Sequence, residues 1–93
     1  MFGLLTLHLS LPGCSSLKEK RGRLKPLLHR LHREFNISVA EMELQDKWQE
    51  AVVTCGMVGN KRDHLEQSLQ AVLRWVEAHW TDMTVVDETF EFL

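Results

Sequence analysis

The stretch FGLLTLHLSLPGCSSLKE, residues 2–19, changes its periodicity halfway along, and this change sets up the fold. Its first part has apolar side chains at every second position, which predicts a strand over residues 2–11 with one apolar face. The leucines on that face are Leu5, Leu7, Leu9 and Leu11. Pro12-Gly13 is a turn dipeptide that ends the strand. Ser16 followed by Glu19 has the capping-box spacing, in which the hydroxyl accepts from the Glu19 N–H and the carboxylate returns to the Ser16 N–H.

A first helix is predicted from about Leu17 to Glu34, because apolar residues recur there with helical spacing. The stripe consists of Leu17, Leu24, Leu28, Leu31 and Phe35. Pro26 interrupts the hydrogen bonding, and its ring crowds the carbonyl of Gly22. We expect one helix with a local kink near Gly22–Pro26, since the period continues unbroken. The alternative is a short first turn, a break, and a new helix with Pro26 at its first position.

The remaining elements are predicted from alternation and turn residues. Strands are expected over residues 37–44, 51–58 and 83–93, and the last has Val86, Phe90 and Phe92 in phase. Asn60 is placed to cap a second helix, with Asp63 in its first turn. The buried stripe of this helix is Leu65, Leu69, Val72, Val76 and Trp80. The order β-α-β-β-α-β with right-handed crossovers predicts a single α+β domain over residues 1–93, the ferredoxin-like fold. Its four-stranded antiparallel sheet has strand order 4-1-3-2 and both helices on one face.

Charge is unevenly distributed, although the net charge is only −2. Seven of the eleven basic residues fall within Ser16–Glu34. They are Lys18, Lys20, Arg21, Arg23, Lys25, Arg30 and Arg33. Residues 77–93 contain five acidic residues and no Lys or Arg. We therefore expect a positive side and a negative end.

The cellular setting follows from what the sequence lacks. The two cysteines are far apart, and residues 2–11 lack the cationic start of a signal peptide. We expect reduced thiols in a cytoplasmic protein. No apolar run approaches the roughly 20 residues that a membrane span needs, so we expect no membrane contact.

In the predicted topology the start of the first helix, the hairpin at residues 45–49 and the loop at residues 80–83 meet at one end. A helix N-terminus and a line of cations there favour phosphate groups, so we expect an RNA or ribosome contact. The expected contact residues are Ser16, Lys18, Lys20, Arg21, Lys25, Arg33 and Trp48. The sheet lacks the aromatic side chains with which RNA-recognition motifs stack bases, so the helix and the hairpin would bind instead.

Two alternatives to RNA binding remain. An outer helix face is charged in any case, and Glu41 and Asp46 could pair with Lys18, Lys20 or Arg21 to hold the hairpin. The open sheet face, in turn, is predicted to be mostly apolar, which suggests a homodimer or higher homo-oligomer, or a module that binds a small ligand or a protein. That face would carry Leu4, Met42, Val52 or Val53, and Phe90 or Phe92.

Catalytic and metal-binding patterns are weak. Cys14 lacks the second cysteine of a C-x-x-C pair, and His29 with His32 lacks a third ligand. Glu41 and Glu43 are predicted on one strand face, but more often such a pair is solvated or pairs with cations. No nucleophile elbow, P-loop or dinucleotide fingerprint occurs. We expect no catalytic residue, metal or cofactor.

Several short motifs resemble the YlxP-like family of small bacterial proteins over nearly the whole chain: LPG at 11–13, SLKEKR at 16–21, SVAE at 38–41, QD at 45–46 and WQ at 48–49, with Asn60. The resemblance implies a cytoplasmic, ferredoxin-like protein, often encoded near translation and ribosome-maturation factors, with no established activity. Cys14, Gly22 and Pro26 depart from the family pattern. The matching motif residues are Ser16, Lys18, Glu19, Lys20, Arg21, Glu41, Gln45, Asp46, Trp48 and Gln49.

Overall fold

The computed structural model describes residues 1–93 and has the predicted order of elements. These are β1 (Phe2–Ser10), α1 (Leu17–Glu34), β2 (Ser38–Glu43), β3 (Glu50–Val58), α2 (Arg62–His79) and β4 (Thr84–Phe92). The strands form one sheet in the order β2-β3-β1-β4, and each neighbouring pair is antiparallel. This order is 4-1-3-2 counted from the other edge, so the predicted α+β, ferredoxin-like fold is confirmed.

The core lies between one face of the sheet and the two helices. The four leucines predicted on one face, Leu5, Leu7, Leu9 and Leu11, are all fully buried. Across the sheet Leu5 pairs with Cys55 and Leu7 with Val53, so β1 and β3 share this face. The helices cover it with buried side chains of α1 and α2, namely Leu24, Leu27, Leu31, Leu65, Leu69, Val72, Leu73 and Val76. Neither helix is long and apolar enough to cross a membrane.

Helix α1 is continuous through Pro26, so the broken-helix alternative is wrong. Both Pro26 and Gly22, whose carbonyl loses its helical partner, lie on the exposed side. Water can therefore satisfy that carbonyl, and the missing hydrogen bond disturbs no core contact. The kink expected there stays a prediction.

The start of α1 has half of the expected capping box. The Glu19 N–H donates to the Ser16 hydroxyl at 3.0 Å, as the spacing predicts. The Glu19 carboxylate, however, accepts from the Ser15 hydroxyl at 3.1 Å rather than returning to the Ser16 N–H. A single side-chain cap therefore defines this end of the helix.

Helix α2 begins at Arg62, one residue later than a cap at Asn60 would give. Lys61 is the N-cap residue and makes no side-chain hydrogen bond, so the prediction that Asn60 caps the helix is wrong. Asp63 does lie in the first turn, where its charge suits the helix dipole. The predicted stripe is buried from Leu65 to Val76, and Trp80 is the half-buried C-cap residue.

Two irregularities in the edge strands change which face their residues occupy. Along β2 the register shifts between Glu41, opposite Val53, and Glu43, opposite Val52. One extra residue moves the following side chains to the other face. Glu41 and Glu43 are therefore on opposite faces, and the prediction that they share one face is wrong.

The second irregularity is in β4, where His8 pairs with Asp87 and Leu9 with Val85. The skipped residue is Val86, which is exposed and out of phase with Phe90 and Phe92, contrary to the prediction. Phe90 pairs with Leu5 and Phe92 with Gly3, so both rings lie on the helix side of the sheet.

Candidate nucleic-acid interface

Three segments meet at the end of the molecule where α1 begins. The Gln49 side-chain amide donates to the Cys14 carbonyl at 3.4 Å, which links the hairpin to the loop before α1. The Arg23 guanidinium donates to the Pro12 carbonyl at 3.0 Å, and a second of its nitrogens donates to the Asp82 carbonyl. These contacts confirm the predicted meeting of helix start, hairpin and 80–83 loop.

Lys20 is the centre of this end, and it is buried, with only 1% of its surface exposed. Its ammonium donates to the Leu44 carbonyl at 2.7 Å and lies 2.8 Å from Oε2 of Glu41. That oxygen is shielded from solvent and has no other polar partner. Leu44 has a left-handed backbone, with φ of 59°, which is unfavourable for a residue with a side chain. Lys20 therefore holds the hairpin to α1 and stabilises a strained turn.

The structure thus gives Lys20 and Glu41 the pairing that the sequence left as an alternative. A cation enclosed in this way cannot reach a phosphate outside the protein, so Lys20 is removed from the expected RNA contacts. Asp46, the other acidic residue of that alternative, forms no ion pair and is exposed.

Two further basic residues of α1 are also engaged within the chain. Arg23 lies 3.4 Å from the Asp82 carboxylate and 3.8 Å from that of Glu19. Arg30 lies over the Trp75 ring, 5.4 Å from its centroid, and 3.5 Å from the Glu34 carboxylate. Cations held by carboxylates or aromatic rings have less to gain from an external anion.

The other four basic residues of α1 are exposed and form no ion pair. We call them the free cations: Lys18, Arg21, Lys25 and Arg33. From the first to the last they span about 22 Å of helix, at about 1.5 Å per residue. Lys25 also borders a groove of about 420 Å³ between α1 and the edge strand β2. Leu28, His29, His32 and Val39 line the rest of this groove.

Trp48 is the exposed aromatic residue at this end, with 52% of its surface accessible. It lies in the hairpin beside a shallow depression lined by residues 46–50. Gln45 steadies the same hairpin by donating to the Glu41 carbonyl at 3.3 Å. The Ser16 hydroxyl, by contrast, is used as a helix cap. Of the expected contacts, the structure leaves five side chains available: the free cations and Trp48.

The open sheet face is less apolar than predicted. Leu4, Val52 and Met42 do lie there, but Val53 is buried under the helices. Phe90 and Phe92 also face the helices rather than the open side. Thr6, Thr54 and Thr89 occupy the middle of the face, and the Thr6 and Thr54 hydroxyls are 3.3 Å apart. Pairing partners share a face in an antiparallel sheet, so four carboxylates also lie there. They are Glu43, Glu50, Asp87 and Glu91.

Neither cysteine is placed to do chemistry. Burial raises the pKa of the Cys55 thiol from its ordinary value of 9.0 to about 12, so it stays protonated. Cys14 is also buried, and its thiol lies 3.5 Å from the Ser16 carbonyl. His29 and His32 have no third His, Cys or carboxylate with which to hold a metal ion.

Comparison with known proteins identifies relatives without assigning an activity. The family model described as "Protein of unknown function (DUF503)" matches residues 2–90. The "Uncharacterized protein YlxP" of Bacillus subtilis strain 168 is 35% identical over 78 residues, covering 84% of this chain and 85% of that protein. The YlxP-like resemblance inferred from the motifs is therefore confirmed.

Proposed function

The chain belongs to the DUF503 family of proteins of unknown function, and we propose that it is a non-enzymatic, cytoplasmic domain that binds structured RNA, free or in the ribosome. The free cations of α1 would contact phosphates, and Trp48 would stack on an unpaired base next to them.

The observation that carries the proposal is the separation of the basic residues of α1 into engaged and free groups. Lys20, Arg23 and Arg30 have partners within the chain. The free cations have none, although carboxylates are more numerous than Lys and Arg in the whole chain, at thirteen against eleven. Stability gives little reason to leave four like charges unpaired on one helix, since they repel each other. Binding a polyanion gives a reason, because each phosphate contact releases a counterion.

The charge on the opposite face supports α1 as the binding surface. The four carboxylates of the open sheet face repel phosphates, and no Lys or Arg lies among them. The two faces therefore have opposite sign, and a polyanion approaching the protein is steered toward the helix side.

Trp48 supports the RNA side of the proposal rather than a simple polyanion contact. Its ring is exposed in the same hairpin that Lys20 fixes to α1. Stacking of a base on an exposed aromatic ring is worth about 1–3 kcal/mol. Unpaired bases in loops and bulges of structured RNA are available for such stacking.

The homo-oligomer expected from the sequence stays a prediction. Pairing two open sheet faces would bring carboxylates of one copy near those of the other, which weakens the association near neutral pH. Light scattering over a range of concentrations and salt measures the mass directly; a monomer throughout would reject the homo-oligomer.

The proposal can be tested with a fluorescein-labelled RNA stem-loop and fluorescence anisotropy. The Lys25→Gln/Arg33→Gln variant removes one lysine and one arginine from the free cations. Lys61→Gln/Arg74→Gln is its matched control, because it removes the same two residue types from exposed positions at the cap and along α2. We expect the Kd to rise at least tenfold for the first variant and less than twofold for the control. Equal effects, or no binding by the unaltered protein, would reject RNA binding by α1.

A further inference from the structure

The open sheet face has the features of a second binding surface, independent of the RNA proposal. Its ionisable side chains are His8, Glu43, Glu50, Asp87 and Glu91. His8 pairs with Glu50 at 3.0 Å, which leaves three carboxylates without a cationic partner. Both helices lie on the other side of the sheet, so no basic side chain of α1 or α2 reaches these groups.

The centre of this face is a trough rather than a flat surface. It has a volume of about 390 Å³, with Leu4 and Val52 on its floor and Met42 at its β2 side. Met42 exposes 56% of its surface and Phe2, farther along β1, exposes 41%. Phe2 and Leu4 also pack over Gly56, since a Cβ atom added there would lie 3.4 Å from both side chains. The trough thus combines the apolar side chains of Leu4, Met42 and Val52 with three threonines, and nothing in the chain covers it.

Glu43 and Glu91 line the trough on its β2 and β4 sides, and Asp87 lies farther along β4. Glu43 on β2 pairs with Val52, Val52 with His8, and His8 with Asp87 on β4, so these residues form one row across all four strands. Three strand spacings of about 4.8 Å separate the ends of the row by about 14 Å. An α-helix with its side chains is about 10–12 Å across, and it fits between the two ends of this row.

A helix can pack on a sheet by placing an apolar stripe on the strands, as α1 and α2 do on the other face. On the open face, cationic side chains flanking such a stripe would meet Glu43 on one edge and Asp87 or Glu91 on the other. A second copy of this sheet face would instead bring carboxylates against carboxylates. The charges therefore favour a basic partner over self-association.

We propose that the open sheet face docks an amphipathic helix of a partner protein, with apolar side chains in the trough and lysine or arginine residues against Glu43, Asp87 and Glu91. With the RNA proposal, this makes the protein an adaptor that holds a polyanion on one face and a basic protein segment on the other. Either surface could function without the other.

The test uses a synthetic helical peptide of about 15 residues, with a leucine stripe flanked by lysines, added to the full chain labelled with ¹⁵N. We expect amide shifts to change at Leu4, Thr6, Val52 and Thr54, and not along the outer face of α1. The same peptide with glutamate in place of lysine should not bind. Shifts confined to other surfaces, equal binding of both peptides, or no binding at high micromolar concentration would overturn the proposal.

Matched variants separate this docking from general attraction between opposite charges. Glu43→Gln/Glu91→Gln removes two carboxylates at the edges of the trough, and Glu66→Gln/Glu77→Gln removes two exposed carboxylates from α2. We expect a loss of affinity of at least tenfold for the first pair and less than twofold for the second. Val52→Thr should also weaken binding severalfold, because it keeps the branched shape and replaces a methyl group of the floor. Equal loss in the two glutamate variants would show that only net charge matters.

Discussion

The Lys20 ammonium lies 2.8 Å from Oε2 of Glu41 and 2.7 Å from the carbonyl of Leu44, so a lysine of the most basic segment of the chain is buried as a structural contact. The same motif therefore contains residues of two kinds. Lys20 fixes the hairpin to α1, whereas Lys18 and Arg21 on either side of it point to solvent. Function and stability can be tested separately for this reason.

The Lys20–Glu41 contact should contribute strongly to stability. Lys20→Met leaves the Glu41 carboxylate largely buried without its cation, and we expect it to reduce the free energy of unfolding by about 3 kcal/mol. Glu41→Gln should cost a similar amount, because it leaves a buried ammonium. Urea denaturation measures both changes.

The double variant Lys20→Met/Glu41→Gln distinguishes the ion pair from packing. With neither charge left buried, it should be more stable than the sum of the single losses predicts, by about 1–3 kcal/mol. Additive losses would show that the two side chains do not depend on each other.

Helix α1 should become more stable when its two poor helix formers are replaced. The Cβ atom added by Gly22→Ala would have no atom within 4 Å other than those of its own helix backbone, and the position is exposed. We expect this variant to raise the free energy of unfolding by about 0.5–1 kcal/mol. Pro26→Ala restores a backbone hydrogen bond and should add about 1–3 kcal/mol. Gly13→Ala is the control: its φ of 75° is left-handed, so the same change should destabilise. Thermal unfolding compares the three, and a loss of stability in Pro26→Ala would contradict the account.

Stability should fall at alkaline pH because of Cys55. The folded protein keeps the thiol proton up to a pKa of about 12, whereas the unfolded chain releases it near 9.0. The contribution of the protonated Cys55 thiol to the free energy of unfolding is therefore complete below pH 9. Above pH 9 it is lost by about 1.4 kcal/mol per pH unit. Denaturation between pH 7 and pH 10.5 should show this slope in the unaltered protein and a shallower one in Cys55→Ala. Identical slopes would mean that other groups cause the loss.

Trp48 should be dispensable for folding and important for RNA binding. Trp48→Ala should change the free energy of unfolding by less than about 0.5 kcal/mol, as is usual for an exposed position. Its Kd for the stem-loop should rise about tenfold, the equivalent of one lost stacking contact. Trp48→Phe should retain most of the affinity, since the ring remains. Loss of affinity in both variants alike, or in neither, would show that stacking is not the interaction.

The sequence predicts the central elements well because their patterns are local. Alternating leucines determine the face of β1, and the helical period carries α1 through Pro26. The sequence leaves Lys20 open between an RNA contact and a partner of Glu41, although its spacing gives a signal. It lies three residues after Leu17 and four before Leu24, on the stripe that continues to Leu27 and Leu31. A charged side chain on a buried stripe indicates a buried ion pair, and Glu41 is its partner.

The edge strands were less predictable because one extra residue reverses the faces of all that follow. Nothing in the local pattern marks Met42 or Val86 as the irregular position. As a result, the sequence predicts Glu43 on the same face as Glu41 and does not decide between Phe90 and Phe92 for the open sheet face, which it predicts to be mostly apolar. The pairing of the strands, which depends on contacts far apart in the chain, decides these positions.

The central claim is that the four free cations of α1 contact RNA phosphates, and the salt dependence of binding tests it most directly. Anisotropy titrations of the stem-loop at several salt concentrations give the slope of log K against log [salt]. Four phosphate contacts predict a slope of about −3, which should become shallower by about 1.5–2 in Lys25→Gln/Arg33→Gln and stay unchanged in Lys61→Gln/Arg74→Gln. A slope near zero, or the same slope in all three proteins, would contradict the account.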